Sequence, residues 1–550
     1  MSHFFPHMIP PQPSYAVSTV LLGASMNISS RRRAFIAGTL MLTAAGFSSR
    51  ILGFFYRIYL SRTIGAEGLG VYNMIHPIFG VCFALCAGSI QTAISRFVAA
   101  NVRQGKAIFR TGLLISLSMS LVLAAAICRF APFLAEHVLL EPRCAPLLPI
   151  MAFSVPCAAV HACINGCYYG LQRTKVPAFT QLAEQAVRIG AVFLIADILT
   201  EQGQPITVRL AVYGHLIGEF AATLFSLLSF ALFPPRGSFR REPGGAGKRK
   251  DRISPVSAAL CDFTAVAPGL MALALPLMGN RLVLNLLSSA EAVLIPNRLL
   301  ASGLSSEEAY SLYGVLTGMA MPFIFFPSAI TNSMSVLLLP TVAEAQSAGN
   351  RERISSAVTL SLRYSLYMGI FCIGIFTRFG HDLGVSVFRD ETAGYFIAVL
   401  SWLCPFLYLS STTGSILNGL GATGLTFLQN AAALSLRLGF VFFGIPRFGI
   451  TALLWGMLAS EIFLSLAHLD ALRRRSPFLW DAWSMIVKPS AILILSFGIL
   501  NALLSLPAAS LLDFLPPFFA AAVKIGIAAA CYGGLLLTLC ARQPHSKDVP

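Results

Sequence analysis

AAGFSSRILGFFYRIYLSRTIG, residues 44–65, decides how this chain is read. Its alanine, glycine, isoleucine, leucine and phenylalanine residues suit a membrane span, yet Arg50 and Arg57 stand inside it. An arginine at a bilayer centre costs about 2.5–3.5 kcal/mol on insertion scales. It persists where it faces a cavity, a partner or an anionic ligand.

The rest of the chain repeats the pattern. It has 550 residues, 56% hydrophobic and 11% charged, with a mean hydropathy of +0.74. Soluble domains carry about 25% charged residues. Long apolar runs recur from end to end, without the alternation of barrel strands, so the expectation is an all-α polytopic membrane protein. The runs predict about fourteen helices of about 20 residues or more: 34–61, 69–100, 109–134, 145–169, 176–198, 207–233, 263–297, 309–346, 355–378, 393–418, 425–445, 449–472, 484–506 and 516–541.

The net charge of +16 does not indicate nucleic acid, because the basic residues alternate between connections. One set carries Arg31 to Arg33, Arg103, Lys106, Arg110, Arg173, Lys175, the 234–255 segment, Arg351, Arg353, Arg473 to Arg475, Arg542 and Lys547. The other set is richer in acids, including Glu67, Glu136, Glu141, Glu201, Glu307, Glu308 and Asp390. The positive-inside rule then places both termini in the cytoplasm and the protein in the cytoplasmic membrane. The first 30 residues, with Pro6, Pro10, Pro11 and Pro13, read as unstructured, and Met26 competes with Met1 as the start. The order of apolar and basic residues there is wrong for a signal peptide. Twelve cysteines, including the H-x-C-x3-C of His161, Cys163 and Cys167, read as core-filling residues. Neither a disulfide framework nor a metal site is expected, and no cofactor.

The halves resemble each other. An offset of 249 aligns Pro156 with Pro405, YGLQRT (169–174) with NGLGAT (418–423), and Arg188 with Arg437. An offset of 231 aligns Arg50 with Arg281, and one of 242 aligns Glu219 with Glu461. Six spans per half make a parallel repeat, which sets a cavity between two lobes at mid-membrane. The predicted organisation is a cytoplasmic tail at 1–33, an N-lobe at 34–233 and a basic linker at 234–262. A C-lobe at 263–472 and two further helices within 473–550 complete it.

Within that frame, Arg50 and Arg57 lie on one helix face, about 10 Å apart along the axis. Stacked guanidinium forks suit a ligand with more than one phosphate. Arg57 either lines the cavity or snorkels to the outer surface. Arg281 would supply a cation from the opposite wall. Asn73, His76, Gln91 and Arg96 form a polar stripe that serves helix packing or sugar contact, matched in span 8 by Thr331, Asn332 and Ser335. Glu184 and Arg188 have the spacing of an intrahelical pair. Glu219 and Glu461 brace helices, face Arg188 and Arg437, or serve a coupling ion.

GTLMLTAAGFSSRILGFFYRIYLSRTIGAEGLGVYNMIHPIFG (38–80), AISRFVA (93–99) and LYGVLTGMAMPFIFFPSAITNSMSVLLLPTVAEA (312–345) resemble the stage V sporulation protein B-like polysaccharide transport family. That family belongs to the multidrug/oligosaccharidyl-lipid/polysaccharide (MOP) exporter superfamily and is related to the lipid II flippases. The resemblance implies a fourteen-helix, two-lobed flippase, not an enzyme, and a monomer is expected. Its substrate would be an undecaprenyl-pyrophosphate-linked saccharide, a peptidoglycan or polysaccharide precursor. A coupling cation, Na+ or H+, or the membrane potential would drive it, and its last two helices would hold the lipid tail. The S-R-x-L-G-F segment of the lipid II flippases matches Ser49 to Phe54, so Arg50 inherits a pyrophosphate-holding role. Their next arginine falls at Tyr56, one position before Arg57. The alternative is a cation-coupled multidrug exporter of the same superfamily, which would need an acidic cavity. A membrane glycosyltransferase would need catalytic acids on a large outer loop, and the outer loops here are short.

Overall fold

A computed structural model describes residues 20–234, 255–328, 330–331, 350–476, 478, 480–507, 512 and 514–540. Among these residues there is no strand. In hydrocarbon a helix satisfies its own backbone, which is why apolar runs of this length fold this way.

The first helical element, Val20–Phe83, breaks at Gly65, giving α1 (20–64) and α2 (66–100). α2 carries a π-bulge at Ala84–Gly88. There follow α3 (Gly105–Phe133), α4 (Leu148–Gly170, interrupted at Phe153), α5 (Lys175–Glu201) and α6 (Arg209–Leu232). The second half has α7 (Pro255–Ala301), α8 (306–325), α9 (Arg351–Leu383), α10 (Glu391–Gly419), α11 (Thr423–Phe448) and α12 (Ile450–Arg475). α13 (Trp483–Leu504) and α14 (Pro517–Cys540) close the chain.

Eleven helices among the described residues are long and apolar enough to cross a membrane. The difference from the fourteen predicted arises at three places. Met41–Ala100 counts as one element of 60 residues because its break is a single residue. α5 carries Glu184 and Arg188 and falls short on composition. α8 is described only in part, since 332–349 lie outside the described residues. Asn332 and Ser335, residues 1–19, the linker core from 235 to 254, and the tail with Arg542 and Lys547 lie outside them too.

Two predicted boundaries move. The chain is helical from Val20, where an unstructured tail was expected, because no proline follows Pro13 there. α7 begins at Pro255, inside the predicted linker, at the helix position where a missing N–H costs nothing.

The repeat is visible in side-chain bonds. Thr223 Oγ1 donates to Cys157 O at 2.8 Å, and Ser465 Oγ donates to Phe406 O at 2.7 Å. His161 meets Glu219 at 2.9 Å, and Ser410 donates to Glu461 at 3.2 Å. The same two offsets, 242 and 249, relate each member of one pair to its counterpart.

At the end of the bundle bearing the acidic connections, α2 crosses α8 backbone to backbone. A Cβ on Gly70 would overlap the Tyr310 carbonyl, and one on Gly314 would overlap the Ala66 carbonyl. Arg62 adds bonds from Nε to Val387 O at 2.7 Å and from Nη2 to Ser386 O at 3.0 Å.

Gly65 has φ 73° and ψ 178°, a conformation essentially confined to glycine. Gly53, one span-half away, is helical and a Cβ there meets nothing within 4 Å. Gly65→Ala should therefore lose on the order of 1–3 kcal/mol, while Gly53→Ala should gain up to about 1 kcal/mol. Thermal unfolding of the detergent-solubilised variants should show shifts of opposite sign.

Candidate functional site

Two chambers meet inside the bundle at Arg57. The larger, of about 390 Å³, is lined by Arg50, Gly53, Phe54 and Arg57 of α1 and by Pro322, Phe325, Phe326 and Ser328 in and just beyond α8. The smaller, of about 210 Å³, takes Tyr56, Arg57 and Leu60 from α1, and Tyr72, Asn73 and His76 from α2. α5 adds Gln185 and Arg188, α6 adds His215, and α8 adds Gly318. Gly53 and Arg57 line both. By helix register the smaller chamber lies nearer the acidic end, and the larger lies nearer the basic end. Among the described residues no carboxylate lines either one.

The predicted residues separate. Arg50 is exposed on the larger chamber. Arg57 does not snorkel: it straddles the chambers, its Nη1 donating to Thr317 O at 3.2 Å. Asn73 donates to Thr317 Oγ1 at 2.9 Å, and His76 packs edge-on against Tyr72 at 4.6 Å. Arg281 is on neither lining. Its Nη2 donates to Thr92 Oγ1 at 3.1 Å, and the guanidinium lies against Gly88, at the π-bulge of α2. A side chain at Gly88 would displace it. Gln91 packs its backbone against Gly166, and Arg96 is exposed toward the basic end of α2.

Behind the smaller chamber the acids gather. Arg188 bonds Glu184 at 2.5 Å and lies 4.0 Å from Glu219, which also meets His161 Nε2 at 2.9 Å. His161, expected to be a core-filler, is thus a partner of a buried carboxylate. In the second half Arg437 pairs with Glu291 at 2.7 Å, and Glu461 accepts from Ser410.

Sequence reasoning missed Tyr56, Tyr72, Gln185 and His215. Tyr56 was in view as the residue replacing an arginine of the lipid II flippases. Nothing in the sequence pattern turned His215 inward.

A further cluster stands between spans at the acidic end. Arg143 Nε bonds Glu141 at 2.8 Å, a second nitrogen bonds Glu67, and the guanidinium lies 5.0 Å over the Tyr310 ring. Burial would push the Glu141 carboxyl up, but side-chain and backbone hydrogen bonds from Arg143 outweigh it and hold it below the ordinary carboxylate range.

Comparison with known proteins places this arrangement. Residues 35–346 match the family model described as polysaccharide biosynthesis protein. Over 447 residues the chain is 28% identical to stage V sporulation protein B of Bacillus subtilis (strain 168), covering 80% of this chain and 83% of that protein. A solved lipid II flippase MurJ, in an inward closed conformation, superposes with a TM-score of 0.67 at 14% identity, over 92% of this chain and all of its own. An inward-facing multidrug resistance MATE family transporter of the MOP superfamily superposes at 0.57 and 15% identity, over 78% of this chain and 96% of its own. The fold is that of these transporters.

The Glu141 cluster gives a pH signature. A carboxyl held below its unfolded pKa stabilises the fold above about pH 4, and that stability is lost as pH falls further. The thermal midpoint of the wild type should fall between about pH 5 and pH 3 by more than that of Glu141→Gln. Equal slopes in the two proteins would remove the cluster from the account of acid stability.

Proposed function

Because the chain belongs to the family described as polysaccharide biosynthesis protein, we propose that it carries a polyprenyl-pyrophosphate-linked saccharide across the cytoplasmic membrane by alternating access. The observation that supports this most is the lining of the larger chamber, which holds Arg50 and Arg57 and, among the described residues, no carboxylate. A low-dielectric chamber with guanidinium groups favours an anion and repels a cation. That speaks against a cationic drug as cargo, although the multidrug transporters share the fold.

The larger chamber also suits the two-part chemistry of a lipid-linked sugar. Arg50 and Arg57 are set beside Phe54, Phe325 and Phe326, so a phosphate and the start of a hydrocarbon tail find partners within one wall. Phosphate accepts bidentate bonds from guanidinium, and Arg50 has none of the described carboxylates to compete. In this reading the basic end of the bundle faces the cytoplasm, and the Gly70–Gly314 crossing closes the opposite end. No bond of the cargo is made or broken. The binding energy lies in placing the headgroup, and the lobes supply the movement.

Translocation should be measured in proteoliposomes with a fluorescent undecaprenyl-pyrophosphate disaccharide. Wild type should move it, and Arg50→Ala should slow the initial rate about 10–100-fold, as loss of a charge-assisted bond of about 1.5–3 kcal/mol requires. Arg50→Lys should recover part of the rate, since a point charge replaces a fork. An Arg50→Ala protein as fast as wild type, or a wild type that moves a cationic dye and not the lipid, would overturn the proposal.

A further inference from the structure

We propose that the smaller chamber is the saccharide subsite, taking one uncharged pyranose ring by its hydroxyl groups while the phosphates stay with Arg50 and Arg57. This rests on the function proposed above and assigns the halves of the headgroup to different walls.

The first ground is charge. Arg188 lines the smaller chamber, but Glu184 and Glu219 stand against it from behind. Arg57 gives one nitrogen to the Thr317 carbonyl. The remaining polar lining is neutral hydrogen-bonding chemistry: Tyr56, Tyr72, Asn73, Gln185, His76 and His215. A second phosphate gains little there, and a cation finds no carboxylate on the lining. A polyhydroxyl ring matches it donor for acceptor.

The second ground is unused bonding capacity. Tyr56 and His215 are each 6% exposed, and both Tyr56 Oη and His215 Nε2 lack a hydrogen-bond partner. Buried polar groups are paired in the great majority of cases. With Arg188 Nε there are three unpaired atoms on residues lining this small chamber, from α1, α5 and α6, which indicates that their partner arrives from outside the chain.

The third ground is shape. At about 210 Å³ the chamber is smaller than the roughly 300–1,000 Å³ of drug-sized sites, so a single ring fits and an oligosaccharide does not. Tyr72, His76, His215 and Phe79 form a run of edge-to-face rings, with centroids 4.6, 5.8 and 4.8 Å apart. Such rings offer apolar faces to the C–H side of a sugar while hydroxyls meet the polar atoms. A site of this kind discriminates strongly, because a ligand lacking the hydroxyls leaves buried groups unpaired.

The test compares two probes on the full-length protein in nanodiscs: undecaprenyl pyrophosphate, and the same lipid bearing one N-acetylhexosamine. Wild type should bind the glycosylated lipid at least tenfold more tightly. Tyr56→Phe, which removes one oxygen, should erase most of that preference while changing the affinity for the sugar-free lipid less than about twofold. His215→Phe should do the same, and neither should lower the ligand-free thermal midpoint, since each removes an unpaired group. Equal binding of both lipids by wild type overturns the subsite and leaves the lipid-carrier reading standing. A preference that survives both substitutions overturns it too. If wild type binds neither lipid, the proposed function fails and the subsite falls with it.

Discussion

A guanidinium group inside a membrane must meet an anion, a carbonyl or a wet chamber, because nothing else there replaces its hydration. The interior of this bundle is arranged around that constraint. Arg188 meets Glu184 and Glu219, and Arg437 meets Glu291. Arg57 and Arg281 meet uncharged oxygens of Thr317 and Thr92. Arg50 alone of these five faces a chamber without a described carboxylate or carbonyl in bonding range. The helices α4, α5 and α6 converge on Glu219 because His161, Arg188 and Glu219 come one from each.

The repeat makes the two halves alike in hydrogen bonding and unlike in charge. Bonds of Thr223 and Ser465, and of Glu219 and Glu461, occupy equivalent places. Arg188 nevertheless finds its acid four residues back on its own helix, whereas the position equivalent to Glu184 is Ala433. Arg437 therefore depends on Glu291 of α7, 146 residues away in sequence. The first half neutralises its buried arginine within a helix hairpin. The second ties α7 to α11, so that displacement of either helix strands a charge unless the other follows.

Much of this was legible in the sequence. Apolar run length gives the helices, because backbone satisfaction in lipid leaves few alternatives. Arg50, Arg57, Asn73 and His76 were recognisable as polar residues in an apolar setting. The rest depended on rotation and depth, which a list of spans does not contain. Tyr56 and Arg57 are adjacent, yet one is buried on the smaller chamber and the other straddles both. Arg281 is the repeat mate of Arg50 but lies over Gly88, because the π-bulge of α2 and a glycine make room there. The pairing of Glu291 with Arg437 is long-range and has no periodic signature.

The pairing pattern also bears on movement. Take the halves as α1–α6 and α7–α12. Among the described residues, each arginine that pairs with a carboxylate finds it in its own half: Arg143 with Glu67 and Glu141, Arg188 with Glu184 and Glu219, Arg437 with Glu291, Arg474 with Asp470. The arginine hydrogen bonds that cross between halves go to uncharged oxygens: Arg57 to Thr317, Arg62 to Ser386 and Val387, Arg281 to Thr92. Breaking a buried ion pair costs about 3–5 kcal/mol, because a bare charge is left behind. A bond from a charged group to a neutral acceptor is worth about 1.5–3 kcal/mol and leaves a carbonyl or hydroxyl that water readily serves. The buried pairs of Arg188 and Arg437 thus tie helices together within each half, while weaker bonds join the halves. Under the proposed alternating access the lobes would part at one end and meet at the other, and this division would let them. An ion pair placed across the Gly70–Gly314 crossing would lock it.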